Sequence, residues 1–453
     1  MRNFIQRSQF ILKIAWPLII ANSFWNLQLT IDRVFLGMYS TEALGAAMAV
    51  MGVFWVPMAL LQQTAGYVTS FIAQYTGAGE HEKIGGCLWQ SFYVSVIGGI
   101  LFLGFNFLSK DFFAFVGHSE SMQKYEVEYF NTLAYCALPT ALTAAISGFF
   151  TGIGKTKTVI GINLVGLILN IVLDYVMIFG KLGLPEMGVA GAGYATALAS
   201  YGSALWGLFI LFNSDNEMIY KIKSNWQLKL ALIKQFLKFG IPSGLQWAFE
   251  GLAFTTFLIL IGHFKNGEAA LSSSSIAVTI MMLSVLPSMG IAQAVLTLVG
   301  QKLGEKNPDE AERITWDGIK ITFIYILFVA ASFWFVPQFY LSWFKNEENM
   351  NLWTQVSTIV PVLLQIVSVF TIFDSFYLNI SFALKGAGDT RFVSLVALTM
   401  PWPLMVLPAY LLRSHDNALI YSWLFVAFYI FLTAVLLTWR FKQGRWKTMS
   451  LIH

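Results

Sequence analysis

The sequence predicts an all-α integral membrane protein of about 12 transmembrane helices, in two pseudo-symmetric six-helix lobes around a central cavity. Composition, charge spacing and an internal repeat carry this reading. Apolar residues make up 57% of the chain and charged residues 11%, against roughly a quarter charged in an ordinary soluble domain. A soluble protein of 453 residues has no interior large enough for that much apolar surface. The charges collect in short stretches, and the uncharged segments between them have the length needed to cross a hydrocarbon core. Those segments must be helices, because lipid offers backbone amides no partner.

In order along the chain, helices are expected near residues 14–37, 46–76, 88–107, 127–151, 159–179, 189–213, 237–262, 269–300, 316–337, 354–384, 392–412 and 418–439. Pro17, Pro57, Pro139, Pro242, Pro287, Pro361 and Pro401 fall inside them, so kinked or tilted helices are expected. Lysine and arginine set the orientation. With the amino terminus cytoplasmic, Arg2, Arg7, Lys13, Lys155, Lys157, Lys302, Arg391, Arg440 and Lys447 are among the residues on the inside. Only Lys110, Lys124, Lys181, Lys265, Lys345 and Arg413 then lie in outer loops, and Arg33 lies in a helix. Both termini are therefore expected in the cytoplasm, with the chain in the cell (inner) membrane.

The repeat is specific. ISGFFTGIGKTKTV from Ile146 aligns without gaps with ISFALKGAGDTRFV from Ile380. Pro17 to Gly37 matches Pro242 to Gly262 at equal spacing, and QYTGAGEHEKI from Gln74 resembles QKLGEKNPDEA from Gln301. The expected organisation is an amino-terminal six-helix lobe, 1–213, a cytoplasmic amphipathic linker, 214–238, and a carboxy-terminal six-helix lobe, 239–453. Two six-helix copies enter the membrane in the same direction. That is one repeat plan of secondary transporters, which work by alternating access around a central cavity.

No catalytic constellation is present in the sequence, and no enzyme activity or cofactor is expected. GIGKT from Gly152 lacks the first glycine of a phosphate loop, Phe149 standing in its place, and reads as a turn shared by both halves. Cys87 and Cys136 lack metal-ligand spacing. His81, His118, His263, His415 and His453 fall in loops or at the terminus. The basic residues track the inner membrane face, so nucleic acid is not an expected partner.

Of 24 acids, four fall in helix interiors on this reading: Asp32, Asp174, Glu250 and Asp374. A charge at bilayer depth costs at least roughly 2.5 kcal/mol and needs a partner, a wet cavity or a proton. Asp32 and Asp174 are each five residues from the outer ends of their helices and share a depth. Asn170 precedes Asp174 by one turn. With Thr196 on the sixth helix, these four are expected to form an all-oxygen cluster suited to sodium or a proton. Glu250 and Asp374 are expected to face each other in the second lobe. Gln246 lies one turn before Glu250 and Phe370 one turn before Asp374. Trp25, Trp247 and Phe249 join these two as candidates to line a substrate cavity, where an aromatic face holds a cation. The repeat does not duplicate the acids: Asp32 aligns with Phe257, Glu250 with Trp25 and Asp374 with Thr140.

The stretches AWPLIIANSFWNLQLTIDRVFLG, NIVLD, IPSGLQWAFEGLAF, VGQKLGEKNPDEA and FDSFYLNISFALKGAGDTR resemble the multidrug and toxic compound extrusion (MATE) transporters. The resemblance covers nearly the whole chain, and the acid pair looks most like the NorM-type branch. It implies an antiporter that exports amphipathic, cationic organic compounds in exchange for sodium or protons. The matching acids in that family are implicated in coupling, which implies such a role for Glu250 and Asp374 in one lobe and for Asp32, Asn170, Asp174 and Thr196 in the other. Sodium would sit at Glu250 and Asp374, or at Asp32, Asn170 and Asp174. The chain departs from the NorM pattern at Phe370, where those members commonly carry tyrosine, and at Arg33. The implied partners are a small organic substrate, a monovalent cation or proton and the lipid bilayer, with the protein a monomer. The alternative reading is a flippase of lipid-linked precursors with the same two-lobe plan.

Overall fold

Lipid-facing apolar segments this long have one way to satisfy their backbones, and the structure uses it throughout. A computed structural model describes residues 3–345 and 350–452. Arg2 and His453 lie outside the described residues. Among those described, 12 helices are long and apolar enough to cross a membrane: α1 (Phe4–Tyr39), α2 (Thr41–Ala78), α3 (His81–Leu103), α4 (Glu120–Gly152), α5 (Lys157–Ile178), α6 (Gly188–Leu211), α7 (Leu230–Gly262), α8 (Gly267–Gly304), α9 (Pro308–Phe335), α10 (Met350–Ala387), α11 (Thr390–Leu412) and α12 (Ala418–Lys442). Each expected helix is present. Most extend beyond the expected bounds, because polar end turns continue the helix past the apolar run.

The prolines act unequally. Pro17, Pro242, Pro287 and Pro361 lie inside unbroken helices. In α4 the 3₁₀ turn Ala134–Cys136 falls just before Pro139, whose missing N–H leaves the Tyr135 carbonyl without its helical donor. In α11 the π-helical turn Trp402–Val406 contains Pro403. Three short helices lay below the resolution of the sequence pattern: Asn106–Val116, Ser214–Tyr220 and Pro337–Leu341.

The chain groups into two compact units. One holds the chain up to Trp16, Phe249–Val299 and Pro308–Met449. The other holds Pro17–Ala248, Gly300–Asn307 and the tail from Ser450. This grouping differs from cuts at 213 and 238, and contacts explain why. The first turns of α1 join the first unit, where the Arg7 guanidinium donates to Asp317 of α9, only 2% exposed. The start of α7 joins the second unit, where a side chain on Gly244 would meet the Leu60 carbonyl of α2 at 2.4 Å. The stretch from Leu228 to Lys238, expected as a surface helix, runs into α7 without a break from Leu230 onward. The residues before it are laced to α3. Trp89 Nε1 donates to the Ile222 carbonyl at 2.7 Å, Gln90 Nε2 to that of Gln227 at 3.2 Å, and Tyr93 to that of Trp226.

The backbone repeats as the sequence does. Gly154 and Gly388, equivalent in the alignment, both have positive φ, and so do Gly79 and Lys306. Where the C-terminal ends of α2 and α8 cross, the contacts are reciprocal. A Cβ on Gly77 would lie 1.8 Å from the Gln301 carbonyl oxygen, and one on Gly304 would lie 2.1 Å from that of Gln74. Only glycine permits this approach on either side.

Candidate functional site

Small residues on α6 decide the geometry of the amino-terminal acids. Its sequence GVAGAGYATALAS packs close to α5: a Cβ on Gly191 would sit 2.7 Å from the Met177 backbone, and one on Gly166 of α5 would sit 2.2 Å from Ser203 Oγ. This approach brings Thr196 of α6 against Asn170 and Asp174 of α5, with Asp32 of α1 completing the group. All four are buried, Asn170 and Asp174 completely.

The four residues expected to cluster do so, with one correction. The Asn170 orientation that satisfies donors and acceptors on both sides turns its nitrogen to the acids, 2.8 Å from Asp32 Oδ1 and 3.2 Å from Asp174 Oδ2. The other end of the carboxamide lies 3.3 Å from Thr196 Oγ1. The cluster is therefore not an all-oxygen cage. Two carboxyl groups need a donor between them, and Asn170 supplies it. Asp32 is also within hydrogen-bonding reach of Asp174 and Thr196. Asp174 Oδ1 is buried and has no hydrogen-bond partner among the described residues. Arg33 is exposed, and it acts on Asp32 only through its field.

Beside Asp32 lies a small cavity of about 20 Å³, lined among others by Trp25, Gln28, Trp55, Tyr129 and Thr196. Trp25 and Trp55 approach with ring centroids 6.3 Å apart. Aromatic walls and a carboxyl group meet at this cavity, the pairing of groups that attracts a cation.

In the other unit, α7 carries Glu250 and α10 carries Asp374. Both are partly exposed, and each lies within the other's field. The Tyr377 hydroxyl, three residues beyond Asp374, donates to Glu250 Oε1. Tyr429 of α12 feels both acids, and Lys385 near the end of α10 feels Glu250.

The remaining candidates separate. Trp25 lines the pocket described above. Gln246 is buried, whereas Trp247 and Phe249 are partly exposed. Phe370 is only 1% exposed and stacks on Trp423, with centroids 6.3 Å apart and planes 15° apart. Core packing accounts for it. Among the described residues, two further buried acids lie within helices beyond the four expected. Glu126, fully buried in α4, pairs with His118 at 2.6 Å, and Asp317 of α9 pairs with Arg7. The helices extend further than the apolar runs did, and each of these acids meets a basic group.

Comparisons with known proteins agree with the geometry. The family model MatE matches residues 17–176 and 242–411, the two copies of the repeat. Among similar proteins, "Probable multidrug resistance protein NorM" of Thermotoga maritima is 25% identical over 451 residues, covering 98% of this chain and 94% of the relative. The protein of that name in Pseudomonas syringae pv. tomato is 26% identical over 451 residues, covering 98% and 95%. Two solved structures share the fold. "Crystal structure of MATE in complex with MaL6" has a TM-score of 0.88 at 22% identity and covers 98% of both chains. "Reverse polarity of binding pocket suggests different function of a MOP superfamily transporter from Pyrococcus furiosus Vc1 (DSM3638)" has a TM-score of 0.87 at 23% identity and covers 98% and 97%. The match spans both repeats and well over half of the sequence: this chain belongs to the MatE family.

Proposed function

We propose that this protein is a secondary-active antiporter that exports amphipathic, cationic organic compounds in exchange for Na⁺ or H⁺ by alternating access. The observation that carries the reading is the sealed group Asp32, Asn170, Asp174 and Thr196 beside an aromatic pocket. The names of its relatives, multidrug resistance proteins, support it.

Two carboxyl groups within hydrogen-bonding reach share a proton or a cation, since two bare charges repel at that distance. The acid beside the pocket attracts a cationic substrate while it is charged. An ion arriving from outside neutralises it, weakens that attraction and favours release of the substrate outward. One charge crossing the membrane potential gains about 2.3 kcal/mol per 100 mV, enough to move a binding equilibrium substantially. On this reading Glu250 and Asp374 form a second ion site in the carboxy-terminal half, Gln246, Trp247 and Phe249 serve substrate passage, and the protein is a monomer that performs no chemistry. Both termini face the cytoplasm of the cell (inner) membrane.

The test is efflux of ethidium from proteoliposomes under an imposed sodium gradient and then a proton gradient, comparing the parent with Glu250→Gln and Asp374→Asn. Gradient-driven efflux that both variants lose supports coupled antiport, and the effective gradient names the ion. A folded parent that moves no ethidium under either gradient overturns the reading in favour of a lipid-linked substrate.

A further inference from the structure

The stretch that follows α12 is anchored twice, once in each compact unit. Trp446, 1% exposed, stacks on Phe441 of α12 with centroids 4.6 Å apart and planes 11° apart, and its Nε1 donates to the Phe441 carbonyl at 2.8 Å. Lys447 adds its pairs with Glu312 and Asp309 of α9. The 3₁₀ turn Arg445–Thr448 ends there, and Met449 is extended, with φ −78° and ψ 142°. Leu451 is the second anchor. It is fully buried and joins the core cluster of Phe71, Tyr75 and Phe236, against which Ile452 also packs. Its backbone is held on both sides: the N–H donates to Gln74 Oε1 at 2.9 Å, and the carbonyl accepts from Gln235 Nε2 at 2.6 Å. Gln74, 1% exposed, lies near the end of α2, and Gln235 lies in the first turns of α7. Two carboxamides that take a backbone N–H and C=O, beside apolar side chains that take a leucine, have the chemistry of a site for an extended peptide.

Only Met449 and Ser450 join the turn to the seated leucine, and two residues span about 7 Å at full extension. Alternating access moves the two halves of a secondary transporter against each other, and a join this short passes such a movement to the weaker anchor. Trp446 follows its own helix closely and moves with it. Leu451 is held by one side chain and two neutral hydrogen bonds, to helices remote from it in sequence. We infer that Gln74, Gln235 and the apolar cluster beside them form a peptide socket whose occupant is the Leu451 segment, and that the segment leaves this socket each time the transport cycle turns. Seated, it latches the protein in one facing. The latch rests on the antiport reading, whereas the socket does not.

Two measurements on the full-length protein separate these. In proteoliposomes, Gln235→Cys and Leu451→Cys together are joined by a short bifunctional maleimide; the native Cys87 and Cys136 are buried and stay in place. Joining is expected to lower ethidium efflux by at least about ten-fold, because the cycle then stalls at this step, whereas a monofunctional maleimide on the same pair leaves efflux within about two-fold of the unlabelled pair. Efflux by the joined protein within about two-fold of the unjoined pair overturns the latch. Hydrogen exchange at the Leu451 amide, read by mass spectrometry without substrate or gradient, tests the socket. Gln235→Ala removes one of its two hydrogen bonds, and exchange is expected to become about five-fold faster than in the parent. A rate within about two-fold of the parent overturns the socket. If the parent moves no ethidium while the exchange shift persists, the antiport reading falls and the latch with it, and the socket stands.

Discussion

Asp32 and Asp174 are sealed in the interior and bridged by one carboxamide, whereas Glu250 and Asp374 are partly exposed and Glu250 accepts a hydrogen bond from a tyrosine hydroxyl. The repeat makes the contrast sharper. Glu250 occupies the position of Trp25 in the first copy, and Asp374 that of Thr140, and both of those line the aromatic pocket. Asp32 in turn corresponds to Phe257, which is fully buried against Trp423. Equivalent places in one scaffold thus hold a pocket in one copy and an acid pair in the other. Duplication supplied the shape, and the chemistry was divided between the copies.

The largest expected effect breaks this contrast at the level of stability. Asp174→Ala leaves Asp32 and Asn170 buried with their partner gone and should cost about 3–5 kcal/mol, against about 1 kcal/mol for Asp374→Ala at its partly exposed site. Thermal unfolding of the two purified variants in detergent measures the difference, and equal losses would erase the distinction. Next comes Tyr377→Phe, which removes the donor to the Glu250 carboxylate. Without that hydrogen bond the Glu250 carboxylate holds a cation more tightly, so the ion concentration for half-maximal efflux should fall about ten-fold, the equivalent of ~1.4 kcal/mol. Asp32-dependent substrate binding should not move.

Trp25→Ala tests the other side. Loss of an aromatic wall should weaken ethidium binding by about 1 kcal/mol, read by fluorescence titration, while the ion dependence set by Glu250 and Asp374 stays in place. The smallest effect provides a reference outside the membrane-crossing segments. Lys447 meets Glu312 at 2.5 Å and Asp309 at 3.2 Å, and the hydrogen bond it donates to Glu312 holds its ammonium above the ordinary lysine value of 10.5. A raised value means stability that is fully present below about pH 10.5 and lost as the pH climbs through the higher folded value. Lys447→Gln should therefore cost no more than about 1 kcal/mol at neutral pH and flatten the alkaline limb of the unfolding profile.

The helices and the first acid cluster were legible because both leave sharp marks in a sequence. A carboxylate in an apolar run is rare, and Asp32 and Asp174 could be placed at one depth by counting from the helix ends. Tyr377 and Tyr429 left no such mark, being two of 17 tyrosines in a chain rich in aromatics. Lys385 was hidden by a boundary. With α10 read as ending at residue 384, it counted as one more basic residue at the membrane edge, and only its burial separates it from those. Asn170 was found, but its orientation depends on what surrounds both ends of the carboxamide, which spacing along one helix does not contain. Glu126 and Asp317 were missed for the same reason as Lys385, since helices continue through polar turns that an apolar window excludes.

The crossing of α2 and α8 has a consequence for how such a chain arises. Gly77 accommodates Gln301, and Gly304 accommodates Gln74, and these are the same two positions in the two copies. Residue i meets residue j while j meets i, which is the pattern of an isologous interface between identical subunits. Two separate copies of one half would therefore present each other with a self-complementary surface here.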